Sequence, residues 1–171
     1  MSAIRGRYNE PPTPSNVLIV QKGVPFMSEQ ENIETAKKQI AALNARNLDE
    51  YMSRIDESFV GESDSPLSPI RGREGARKAL EMTLAAFPDF RLEIEQILAS
   101  GDFVVARLGV TGTHKGNYLG IAATNKRVNY HACNVVELRN GKAIRSRLYA
   151  DNATLFQQLG VLSLPKAAAA G

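Results

Sequence analysis

The apolar residues of this chain change their spacing at Pro88-Asp89, and this one change restricts the fold more than any other feature. Before it they recur every three to four residues, the period of a helix buried on one face. Ile33, Ala36, Ile40 and Leu43 form one such stripe from Glu31 onward. Leu48, Tyr51, Met52 and Ile55 form a second, shorter one, after a break at Asn44–Leu48. Ala76, Ala79, Leu80, Leu84 and Phe87 form a third between about Gly72 and Phe87. Residues 61–70, with Pro66 and Pro69, read as a turn-rich loop. Beyond Pro88-Asp89 the period becomes two. Phe90, Leu92 and Ile94 alternate with charged residues, and Ser100-Gly101-Asp102 marks a turn. Three long β-rich runs follow, Phe103–Thr113, Arg127–Arg139 and Lys142–Ala150. Asn140-Gly141 joins the last two as a two-residue hairpin turn, whose central residues both need positive φ. A short helix, Ala153–Leu159, stops at Gly160. Helices first and hairpin-linked strands after them specify an α+β fold. Strands this long must twist and bend. The expectation is a cone-shaped, strongly bent antiparallel sheet whose N-terminal helices enclose one pocket.

The 171 residues suit one domain with one core. Apolar residues make up 43% and charged residues 23%, so such a core needs no metal or disulfide to form. Cys133 is the only cysteine, which rules out an internal disulfide and fits a reducing, cytoplasmic setting. Two histidines and one cysteine do not make a metal site. No glycine-rich phosphate loop leads from a strand into a helix, and no G-x-S-x-G elbow occurs. No apolar run is long enough to span a membrane. Most of the net charge of +3 sits in residues 1–26, where Arg5, Arg7 and Lys22 face one acid, Glu10. The body is nearly neutral and has no basic block, so nucleic acid is not an expected partner. Pro11, Pro12, Pro14 and Pro25 set the same segment apart, and Met27-Ser28-Glu29 reads as a second start. The expected division is a dispensable leader over 1–26, a cone domain over 27–162 and a loose tail over 163–171.

Gly112-Thr113-His114-Lys115-Gly116, followed by Gly120, Thr124 and Arg127, resembles the SnoaL-like polyketide cyclase family. So do Phe87-Pro88-Asp89-Phe90, Asn140-Gly141-Lys142, Tyr149, Asp151 and Gln158-Leu159-Gly160, in that order. The likeness runs over roughly Ile33–Val161. It implies the nuclear transport factor 2-like fold, whose members include isomerases, dehydratases, epoxide hydrolases and pure binding proteins. It also implies a homodimer through the outer face of the sheet. The family's cyclases place an acid/base carboxylate at the position matched here by Leu148 and a histidine at that of Asn134. Leucine transfers no proton, and asparagine donates and accepts hydrogen bonds without titrating.

The remaining candidates each carry two readings. Asn134 shares a strand face with Ala132, Val136 and Leu138, and either orients a substrate oxygen or bonds a neighbouring backbone group or water. Tyr51 either points its hydroxyl into the pocket or is core with a wet tip. Asp151 is an acid/base at the pocket mouth or the N-cap of the last helix, and capping would lower its pKa. His114 is a proton carrier or the pin of a glycine-rich loop. His131 faces outward. Arg107 and Arg147 bind an anionic group or pair with acids on the outer face. Two functions follow. The first is cofactor-free acid/base catalysis on a small apolar metabolite (cyclisation, isomerisation, dehydration or epoxide opening), with Asp151 and His114 as catalytic residues and Asn134, Tyr51 and Leu148 holding substrate. The second is a non-catalytic binding or dimerisation module. A variant of the first moves the carboxylate to Asp56, Glu57 or Asp151.

Overall fold

The computed structural model describes residues 27–163. The expected leader, and the expected tail apart from Ser163, lie outside the described residues. The elements run α1 (Glu29–Asn44), α2 (Leu48–Ser53), β1 (Ile55–Ser63), β2 (Ile70–Arg71), α3 (Gly72–Ala86), β3 (Arg91–Ser100), β4 (Phe103–Thr113), β5 (Arg127–Arg139), β6 (Lys142–Ala150) and α4 (Asn152–Leu159). Local chemistry sets several boundaries. Ser28 and Glu31 form a reciprocal capping box at the start of α1, and Asn47 caps α2 by accepting from the Glu50 N–H. Asn140 and Gly141 have φ of 51° and 71°, as the hairpin turn between β5 and β6 requires.

The strands form one sheet in the order β2-β1-β6-β5-β4-β3. β2 and β3 are free edges, so the sheet curves without closing into a barrel. β3 to β6 pair antiparallel, as the alternation predicts. Register shifts between Ile94 and Gln96 and between Glu137 and Leu138 mark the irregularities that bend such a sheet.

One expectation is corrected. The stretch from Ile55 to Ser63 is a strand, not the end of the second helix followed by loop, and it runs parallel to β6. The sheet is therefore not wholly antiparallel. Ile-Asp-Glu-Ser-Phe-Val-Gly-Glu-Ser carries no clean period of two or 3.6, and only Ile55, Phe59 and Gly61 are buried in it. Its pairing with a strand some eighty residues later is a tertiary event that local spacing does not encode. Asp56 and Glu57 consequently sit on β1. Asp56 accepts from the Ser58 N–H at 2.9 Å and hydroxyl at 2.6 Å, and Glu57 pairs with Arg73 at 2.8 Å.

Helix α1 lies against β3 and β4, and α3 against β1 and β2. Two apolar clusters result. The first joins Ala36, Met52, Ile55, Phe59, Ala76, Val104, Leu138 and Ala143. The second joins Ala86, Phe87, Val128, Leu155 and Leu159, and closes α4 onto the start of β5. Each fully buried leucine here contributes about 1.5–3 kcal/mol from lost water contact.

Candidate functional site

The main chamber, of about 210 Å3, lies between α3 and the inner face of the sheet. Its apolar wall includes Ile55, Phe59, Ile70, Ala76, Leu80 and Leu148. Strand alternation puts Asn134 and Leu148 on this inner face, and the two are register partners across β5 and β6. Ser146 lies two residues before Leu148 and lines the same wall. Leu148 is 37% exposed, which places it at the mouth. Tyr51 comes from α2. Tyr51, Asn134 and Leu148, the three expected substrate contacts, thus share one chamber.

A second, inner chamber of about 50 Å3 adjoins the first through Tyr51 and Asn134, which line both. Its other walls come from α1 (Ala36, Gln39, Ile40) and from β3, β4 and β5. Two polar atoms here are buried without a hydrogen-bond partner, Nε2 of Gln39 and Oδ1 of Asn134. An unmet buried donor or acceptor costs about 1–3 kcal/mol, so such atoms are rare unless a missing group completes them. Burial alone pushes the Tyr51 hydroxyl up to about 12, because the phenolate would be stranded in apolar surroundings. At neutral pH this side chain is a hydrogen-bond donor and not a base.

Glu62 is the carboxylate among the residues lining the main chamber. Its Oε2 lies 2.5 Å from Arg147, which thereby takes the outer-face pairing weighed for it. Arg107 and His131 both contact Glu95 on that face, at 2.8 and 3.1 Å.

The two expected catalytic residues line neither chamber. Asp151 is exposed and N-caps α4, accepting from the Thr154 N–H at 2.9 Å and hydroxyl at 2.6 Å. These bonds hold its carboxyl below the usual aspartate range. His114 is 0% exposed and stacks on Phe87, with ring centroids 5.1 Å apart. Its Nδ1 accepts the Thr124 N–H at 3.3 Å, its backbone N–H donates to Lys126, and its carbonyl accepts from Asn125. It pins the β4–β5 connection, and burial lowers its pKa, which keeps the ring neutral. Proton transfer to a substrate held in either chamber needs a group on its wall, and neither side chain is among the lining residues.

Gln39 was not among the sequence candidates, although its signal was present. It lies three residues after Ala36 and four before Leu43, on the stripe that α1 turns inward, where a polar residue interrupts the apolar pattern. Glu62 and Ser146 were missed for another reason. Glu62 depends on β1, which the spacing did not reveal, and Ser146 reads as ordinary alternation. Among the described residues no group of three or more His, Cys, Asp or Glu side chains gathers as for a metal ion. No helix among them is long and apolar enough to cross a membrane.

A curved, unclosed sheet with helices packed on its inner face and a chamber between them defines an α+β domain of the nuclear transport factor 2-like class. Within that class the chain belongs to the SnoaL-like polyketide cyclase family, which it matches over residues 34–159. It is 25% identical over 130 residues to aklanonic acid methyl ester cyclase DnrD of Streptomyces peucetius, covering 75% of this chain and 90% of the cyclase. The crystal structure of AclR from Streptomyces galilaeus, a proposed hydroxylase, superposes with a TM-score of 0.71 at 28% identity, covering 81% of this chain and 87% of AclR. IdmH from Streptomyces antibioticus, a proposed polyketide cyclase, superposes with a TM-score of 0.67 at 26% identity, covering 76% of this chain and 99% of IdmH.

Proposed function

We propose that this chain binds one small, largely apolar, oxygenated metabolite in the main chamber and promotes its enolisation and ring closure without a cofactor. One observation carries the reading: Tyr51 and Asn134, whose Oδ1 has no partner, meet on the wall of a largely apolar chamber. That arrangement suits a carbonyl becoming an enolate. The Tyr51 hydroxyl donates to the oxygen as negative charge develops, in a site with little water to compete. The Asn134 amide holds the same region of the substrate in one orientation. Glu62 takes the proton from the carbon next to the carbonyl once its carboxylate leaves Arg147, its ion-pair partner on the outer face, and turns to the chamber. The enolate carbon then attacks a second carbonyl of the same molecule, one C–C bond forms, and the new alkoxide recovers the proton. The chamber is smaller than the roughly 300–1,000 Å3 of typical ligand pockets, so a fused-ring substrate would leave part of itself at the Leu148 mouth. The single Cys133 supports a cytoplasmic setting, and the exposed Phe103 and Tyr149 supply apolar contacts for a homodimer, testable by sedimentation.

A second reading has its own support. Leu148 and Asn134 stand where the family's cyclases keep a titrating pair, and Glu62 is engaged by Arg147. The chamber would then hold a ligand without turning it over. Aklanonic acid methyl ester, the compound in the names of the related cyclases, is a direct probe. The first reading expects a cyclised product by mass-neutral change in chromatography and absorbance. It expects about a hundredfold loss of rate in Tyr51→Phe or Glu62→Gln, the scale of one lost oxyanion donor or one lost base. Binding without product, or turnover indifferent to both variants, sinks the first reading.

A further inference from the structure

Gln39 is 8% exposed, and its Nε2 has no hydrogen-bond partner. Across the same small chamber, Asn134 is half-buried, and its Oδ1 atom is likewise enclosed and unpaired. One atom offers a proton and the other seeks one. A group that satisfies both must accept and donate at once. A ketone or ester oxygen only accepts. A carboxylate accepts and brings a charge, and none of the residues lining the inner chamber is charged to balance it. An ammonium only donates. A neutral hydroxyl fits: it accepts from Gln39, donates to Asn134, and lies against Tyr51 where the two chambers meet. The space is sufficient, since about 50 Å3 exceeds the ~10–15 Å3 that one water-sized group requires.

We propose that the inner chamber is a subsite for a neutral hydroxyl or enol of the bound metabolite, and that Gln39 is the residue that selects it. The inference rests on the reading of the main chamber as a metabolite pocket. It adds which end of the metabolite enters first and what that end must be. A free acid in place of the hydroxyl is rejected because it would be buried without a counter-charge. An alkyl group of the same size is accepted less well because it leaves Gln39 and Asn134 unmet.

Three matched aromatic probes test this with the full chain near pH 7: 2-naphthol, 2-methylnaphthalene and naphthalene-2-carboxylate, with binding read by calorimetry. The expected result is 2-naphthol binding about tenfold more tightly than 2-methylnaphthalene, the worth of about one net hydrogen bond. The carboxylate should bind most weakly of the three. In Gln39→Met, a change of similar volume, the preference for 2-naphthol should shrink to within about twofold while 2-methylnaphthalene binds as before. The Tm of that variant should rise, because an unpaired buried donor has been removed. Gln39→Leu serves as the second variant. Equal binding of 2-naphthol and 2-methylnaphthalene, meaning that water alone occupies the inner chamber, overturns the subsite and leaves the main pocket standing. So does a preference that survives in both Gln39 variants. Binding of none of the probes removes the metabolite pocket itself, and the subsite with it.

Discussion

Val128 and Leu138 sit on the same strand, yet they belong to different apolar clusters with different ways of burying polar side chains. At the Val128 end, His114 is enclosed by packing. Phe87 stacks on its ring, Thr124 donates to its Nδ1, and both of its backbone groups are paired, although its Nε2 is buried without a partner. Lys115 and Gly116 also donate to the Ala86 carbonyl, which ties the β4–β5 connection to the end of α3. At the Leu138 end the buried amides of Gln39 and Asn134 face open volume, and an atom of each is unpaired. The first arrangement makes a polar group part of the structure. The second leaves it waiting for a partner from outside. Both ends thus keep an unpaired buried atom, but at the Leu138 end two such atoms border a chamber, whereas at the Val128 end the ring is tied into the β4–β5 connection.

The sharpest way to break this comparison is truncation. Leu155→Ala, at a position 1% exposed in the α4 cluster, should cost about 3 kcal/mol by denaturant unfolding. Leu80→Ala, on a wall that already faces the main chamber, should cost only about 1–2 kcal/mol, because little new void is created. Equal losses would mean that the two ends are packed alike. A smaller effect comes from acid. Burial holds folded His114 below its ordinary value near 6.5, so the unfolded chain takes up a proton first. Its contribution is fully present above about pH 6.5 and falls as the pH drops toward the folded value. Chemical denaturation at stepped pH should show this decline, and His114→Phe should flatten it. A decline unchanged in that variant would place the acid sensitivity elsewhere. The smallest effect is expected at the chamber. Asn134→Leu should change stability by less than about 1 kcal/mol, or raise it, while abolishing the 2-naphthol preference. A large loss of stability would mean that this amide is structural after all, as His114 is.

Much of the fold was legible because it rests on local rules. The switch of period at Pro88-Asp89 located the boundary between α3 and the antiparallel run β3 to β6. The ranges read for β4, β5 and β6 are those observed, since long alternating runs closed by a two-residue turn leave little freedom of register. Strand β1 was not legible, and Glu62 went unseen with it. Among the site residues, the face of Asn134 followed from alternation and Leu148 from the family resemblance, while Asp151 and His114 each carried two readings that spacing does not separate. Residue type and spacing marked both as able to carry a proton. The structure shows the other role weighed for each, a helix cap for Asp151 and a loop pin stacked on Phe87 for His114.

The sequence by itself therefore determined the α+β class, the antiparallel hairpins, the family and the absence of a titrating pair at positions 134 and 148. These depend on periods, turns and residue identities that neighbours along the chain settle among themselves. Tertiary structure alone decided the parallel docking of β1 on β6, and the meeting of Gln39 from α1 with Asn134 from β5 around one small chamber. Two side chains nearly a hundred positions apart become partners only when packing has brought their elements together, and no local rule carries that distance.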